Sequence, residues 1–163
     1  MNYKYKKQQQ EYCKKCERIG RELFKDFMKD SLYYVGLATD DLDRRDFILL
    51  AENHRGVYGE IKTYRNPKYP RIHSKFNDFQ IDYDKLDAVE TKAKENGFVP
   101  LLVCFFTDCL MIWRLDTIDW RNTRKDNVEV NAFGGLYGMK KEYEPQAYLY
   151  FKDAIYTNFD IHA

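Results

Sequence analysis

A chain of 163 residues with 44% hydrophobic and 33% charged content can bury a core, and that balance excludes a disordered segment. A formal net charge of +1 excludes a globally basic nucleic-acid binder. The longest apolar run, "VPLLVCFF" at 99–106, has the length of a buried strand and is too short to span a membrane.

The length favours one domain spanning 1–163. The N-terminal "MNYKYKKQQQ" is polar and carries no apolar leader, so a cytoplasmic, intracellular protein without a membrane partner is expected. The charge is uneven. Residues 1–25 hold eight Lys/Arg against three Glu, and residues 61–75 hold five Lys/Arg and no acid. Local basic segments of this kind engage phosphate even in a neutral chain, or form a solvated surface.

Tyr12, Cys16, Ile19, Leu23 and Phe27 recur at helical spacing and predict a long helix over 8–30. "KDSLYYVG" ends it and enters a short extended piece, and "ATDDLDRR" at 38–45 reads as a charged loop. "DFILLAE" (46–52) and "VYGEIKTYR" (57–65) read as strands joined by the turn "NHRG". A turn centred on His54 and Arg55 sets Asp46 opposite Thr63, a diagonal neighbour of Lys62. "NPKYPRIHSK" is an exposed loop. A helix is predicted over 82–97, with Leu86 and Val89 on its apolar side and Gly97 as its stop. Residues 98–108 form a central strand apolar on both faces, and 109–116 return beside it. Residues 117–145 read as irregular, and 147–156 as a last strand or short helix. This order fits an α/β sandwich with a mixed central sheet flanked by helices.

Glu60 and Lys62 share one face of their strand, because side chains alternate, and Asp46 opens the strand before it. Asp46 followed by Glu60-Ile61-Lys62 across a hairpin resembles the PD-(D/E)XK nuclease superfamily, the restriction-endonuclease-like fold. The core order of that fold covers about residues 8–116 here, leaving 117–163 as a C-terminal extension. Arg45 stands where the family's proline precedes the aspartate.

The resemblance implies a DNA nuclease that hydrolyses phosphodiesters with Mg²⁺ or Mn²⁺, a hard cation suited to oxygen ligands. Asp46, Glu60 and the Ile61 carbonyl would hold the metal, and Lys62 would orient the attacking water. Relatives add a carboxylate from the first helix: Glu22 is preferred here, with Glu17 and Asp26 as alternatives. Gln80 sits where relatives place an assisting glutamine. Arg44, Arg45, Tyr64, Arg65, Lys68, Arg71 and Lys75 would line the nucleic acid, DNA rather than RNA, through phosphate contacts and aromatic stacking. A homodimer is expected by analogy. The plainer alternatives are an exposed hairpin carrying an ion pair, and an inactive relative that binds nucleic acid or serves assembly.

Other patterns point elsewhere. Cys13 and Cys16 form a C-x-x-C with Cys104 and Cys109 far downstream, but Cys16 and Cys104 fall on buried positions, as ordinary thiols do. His54, His73 and His162 lack metal-ligand spacing, and "FGGLYG" at 133–138 lacks the lysine of a phosphate loop.

Overall fold

Helix α1 (Tyr3–Met28) opens the computed structural model, which describes residues 3–38, 46–64, 78–133 and 139–158. Then follow β1 (Tyr34–Leu37), β2 (Phe47–Leu50), β3 (Val57–Thr63), β4 (Asp78–Asp82) and α2 (Tyr83–Glu95). After them come β5 (Val99–Phe105), β6 (Leu110–Arg114), the short α3 (Trp120–Thr123), β7 (Arg124–Phe133), β8 (Met139–Tyr150) and β9 (Tyr156–Asn158).

Six strands form the central sheet in the order β1-β2-β3-β5-β6-β9. It is mixed: β3 and β5 run parallel, and the other neighbours run antiparallel. A parallel pair needs a long crossover, which passes through α2. The second sheet, β4-β8-β7, is antiparallel.

Alternation along the strands divides the core in two. Ile61, Val103, Phe105 and Leu110 face α1, where Phe24 is buried and Leu23, Phe27 and Met28 pack around it. Tyr58, Leu102, Cys104, Met111 and Trp113 face α2, whose Leu86, Val89 and Ala93 recur at helical spacing. Phe79 and Ile81 of β4 and Ala147 and Leu149 of β8 join this second core. Asp82 caps α2 by accepting from the Asp84 N–H at 3.1 Å, and Gly97 takes the left-handed φ of +68° beyond its end. The fold is therefore α/β, a mixed central sheet between helices, as the element order predicts.

Two glycines let elements approach closely. A methyl on Gly20 of α1 would collide with the Thr63 hydroxyl and stand 3.1 Å from Ile61 Cγ2, so α1 lies tight against β3. A methyl on Gly59 would run into the Phe47 ring and stand 2.8 Å from the Leu101 carbonyl oxygen. Gly59→Ala is expected to destabilise the fold by about 1–3 kcal/mol through overpacking. A thermal unfolding midpoint equal to that of the parent chain would show that the Phe47 ring yields freely.

The hairpin register differs from the sequence expectation. Phe47 pairs with Gly59 and Leu49 with Val57, which centres the turn on Asn53. Asn53 adopts φ +60°, a conformation asparagine tolerates better than most residues. Gly56 already belongs to the β3–β5 ladder, accepting from the Val99 N–H at 2.8 Å, so it cannot serve the turn. Asp46 therefore meets Glu60 rather than Thr63.

Residues 117–145, expected to be irregular, carry most of the β7–β8 hairpin. Its strands read "RKDNVEVNAF" and "MKKEYEPQAYLY", too polar for an apolar alternation to reveal them. The described part of 147–156 ends β8, makes a 3-10 turn at Phe151–Asp153 and starts β9, which extends the central sheet.

Candidate active site

Strand β2 begins at Phe47, and Asp46 lies just before it, along the side of β3 that β2 leaves open. The Asp46 N–H donates to the Gly59 carbonyl at 3.0 Å, and its Oδ2 accepts from the Ile61 N–H at 2.8 Å. These two main-chain bonds fix the carboxylate beside Glu60. The N–H and C=O of one strand residue point to the same neighbour, so the Ile61 carbonyl also faces this side.

Glu60 is 3% exposed. One of its oxygens, Oε1, takes two lysines: Lys62 Nζ at 3.0 Å from the same strand face, and Lys85 Nζ at 3.1 Å from the first turn of α2. Arg21 of α1 places Nη2 3.6 Å from Asp46 Oδ1. The cluster thus holds two carboxylates and three cations, drawn from α1, β3, α2 and the residue that precedes β2.

Burial pushes the Asp46 carboxyl up to about 6, and the neighbouring Glu60 charge adds to the rise; the Ile61 N–H and the Lys62 charge oppose it. Burial alone would lower the Lys85 ammonium, but the Glu60 carboxylate outweighs it and holds Lys85 above the ordinary lysine range.

Sequence reasoning anticipated part of this cluster. Asp46, Glu60, Ile61 and Lys62 come together. The structure does not bring Glu22 with them: its carboxylate pairs with Lys25 at 3.2 Å on the exposed side of α1. Asp26 likewise pairs with Lys29 at 3.2 Å, and Glu17 is exposed. The first helix presents Arg21 instead. Gln80 is exposed on β4, where its Nε2 donates to Gln146 Oε1 at 3.2 Å. Helix α2, which follows β4, reaches the site through Lys85.

Tyr64, expected to stack on bases, packs inside the protein. Its ring stacks on Phe106 at 5.2 Å and meets Phe79 edge-on. The expected phosphate-binding residues Arg44, Arg45, Arg65, Lys68, Arg71 and Lys75 lie outside the described residues. Cys104 and Cys109 are buried, Cys16 is half-buried and Cys13 exposed, all as free thiols.

Arg21 and Lys85 were the residues that sequence patterns missed. Arg21 adjoins Gly20, whose lack of a side chain marks where the helix seats. Lys85 sits one position before Leu86, the first apolar anchor of α2.

Among the described residues no three His, Cys, Asp or Glu side chains gather as a metal cluster. The donor set is two carboxylates and a main-chain carbonyl, all hard oxygens. Burial first, and then the Glu60 charge, raise the Asp46 carboxyl, and a cation between the two acids would relieve the second of these. This set fits a small divalent ion of the Mg²⁺ kind, which takes one or two carboxylates and fills its shell with water and substrate phosphate.

No helix among the described residues is long and apolar enough to cross a membrane. No family model and no curated protein matches the sequence. Among solved structures, the chain is similar to Hjc, a Holliday junction resolvase from the archaeal hyperthermophile Archaeoglobus fulgidus. The similarity covers 85% of this chain and 94% of that one, at 7% sequence identity and a TM-score of 0.49.

Proposed function

We propose that this chain is a metal-dependent nuclease that hydrolyses phosphodiester bonds in DNA. The observation that carries the reading is the meeting of Asp46 and Glu60 at the open side of β3, with Lys62 3.0 Å from Glu60. Asp46, Glu60 and the Ile61 carbonyl would hold Mg²⁺ or Mn²⁺. When bound, the ion supplies charge neutralisation on the phosphate and hydroxide at neutral pH.

The chain's own groups supply the rest. The Ile61 N–H fixes Asp46 Oδ2 and so leaves the orientation of Oδ1 defined. Lys62 Nζ donates a hydrogen bond to the attacking water and stabilises the oxygen as its proton leaves. Lys85 pairs with Glu60 Oε1 from α2 and so helps to hold that side chain in place. The water gives its proton to solvent and its oxygen bonds to phosphorus; the phosphorus–ester oxygen bond breaks, and the leaving oxygen takes a proton from solvent, so the products are a phosphate and a hydroxyl end.

The test is cleavage of single-stranded, duplex and branched DNA with Mg²⁺ or Mn²⁺. Lys62→Ala is expected to lower cleavage about 10²–10³-fold while leaving the circular dichroism of the fold unchanged. Wild-type protein that leaves all three substrates intact with both metals would sink the enzyme reading. One observation favours a second reading: three cations already answer the two carboxylates without a metal. A non-catalytic nucleic-acid-binding or assembly protein would keep such a network, and it would bind DNA without cutting it.

A further inference from the structure

Arg21 is one member of a longer pattern. At 100° per residue, Lys7, Lys14, Arg18, Arg21 and Lys25 fall within an arc of about 60° on α1. The acids of α1 are Glu11, Glu17, Glu22 and Asp26, and none falls in that arc. Lys7, Lys14, Arg18 and Lys25 are exposed, while Arg21 is half-buried at the inner edge of the arc, beside Asp46. The Arg21 Nε is buried and has no hydrogen-bond partner among the described residues, so this arginine keeps an unused donor beside Asp46. From Lys7 to Arg21 the stripe measures about 21 Å at 1.5 Å per residue, enough for about six phosphates of one B-form strand at 3.4 Å each.

The geometry points to this cationic stripe of α1 as the track for the phosphate backbone of the bound DNA strand, with Arg21 delivering the strand to the Asp46–Glu60 site. The inference rests on the nuclease reading and extends it to where the substrate lies. A phosphate diester is the occupant because the stripe ends on a site built to receive one. An anionic lipid surface has the same charge, but it has no reason to meet the carboxylates through Arg21. The stripe positions the strand and reads no sequence.

The experiment measures binding of a short DNA duplex by fluorescence anisotropy in EDTA, across a series of salt concentrations. The variant is Lys7→Gln/Lys14→Gln/Arg18→Gln, and the control is Lys92→Gln/Lys94→Gln at the far end of α2. Each phosphate left without its cation should lower the slope of log affinity against log salt by about 0.9, so the triple variant should fall by about 2–3 in slope and weaken at least tenfold. The control should match wild type, and circular dichroism should report the same helix content in all three chains.

A triple variant with the wild-type slope overturns the inference, as does a wild-type chain that does not bind the duplex in EDTA. Loss of binding to phosphatidylserine vesicles in the triple variant, with DNA binding unmoved, overturns it in favour of a lipid surface. Cleavage with Mg²⁺ is scored separately. A chain that cuts DNA but shows no slope change overturns the stripe and keeps the nuclease reading. A slope change without any cleavage keeps the stripe and overturns the nuclease reading.

Discussion

Asp46→Asn is expected to stabilise the fold at neutral pH by on the order of 2–3 kcal/mol and to abolish metal-dependent DNA cleavage. The carboxyl rises from 3.8 to about 6 on folding, because burial and the adjacent Glu60 both disfavour its charge. Folding therefore prefers the protonated form. At a pH below 3.8 the group is neutral in both states and carries no penalty. As the pH rises through 3.8 the unfolded chain ionises first, and the penalty is complete above about 6. About two units at 1.36 kcal/mol each sets the size.

Asparagine is uncharged and still offers an oxygen to the Ile61 N–H. The stability difference between variant and parent should be largest at neutral pH and shrink as the pH falls toward about 4. Urea unfolding across that range checks it, and a variant less stable than the parent at neutral pH would show that the Arg21 pair outweighs the burial. A residue that lowers stability where its charge is needed is the pattern expected of a functional carboxylate.

Glu60→Ala is expected to act in the opposite direction, destabilising the fold by about 2–3 kcal/mol and also abolishing cleavage. Its carboxylate is buried and answered by two ammonium groups at 3.0 and 3.1 Å. Removing one partner of a buried pair leaves the others uncompensated, at a cost of about 3–5 kcal/mol when nothing can relax. Here Lys62 is 26% and Lys85 48% exposed, so both can turn toward water, which lowers the figure. Loss of the Glu60 charge also relieves Asp46 and offsets part of the damage.

The two substitutions are therefore coupled. The Asp46→Asn gain should be smaller in a Glu60→Ala background, and a double-mutant cycle of unfolding free energies measures that difference. Additive effects would mean that the two carboxylates do not sense each other.

The sequence made these residues legible because they lie close along the chain. Asp46 and Glu60 are joined by one hairpin, and the alternation of β3 puts Lys62 beside Glu60. The apolar strand β5 and the Leu86–Val89–Ala93 spacing of α2 were equally readable, since buried elements carry their period in apolar residues. The register was not, because it depends on which turn residue accepts a left-handed φ, and Asn53 took that place rather than His54 or Arg55.

Arg21 and Lys85 were hidden for another reason. Each reaches its carboxylate across tertiary packing, and a rotation of one residue in α1 exchanges Arg21 for Glu22. The β7–β8 hairpin escaped because its long polar stretches advertise no core. Phe106 and Phe79 claimed Tyr64 for packing, which no local pattern distinguishes from a stacking platform.

The bare Cα of Gly20 carries this further, into the genetics of the chain. Residue 20 has no reactive group, yet its smallness lets α1, which carries Arg21, seat against β3, which carries Glu60 and Lys62. Enlarging it would push α1 off Thr63 and Ile61, and the damage would surface as a shift of Arg21 relative to Asp46. The natural suppressor would be a trimmed neighbour at position 63 and not a restored charge. Positions 20 and 63 should therefore vary as a pair, tied by shape.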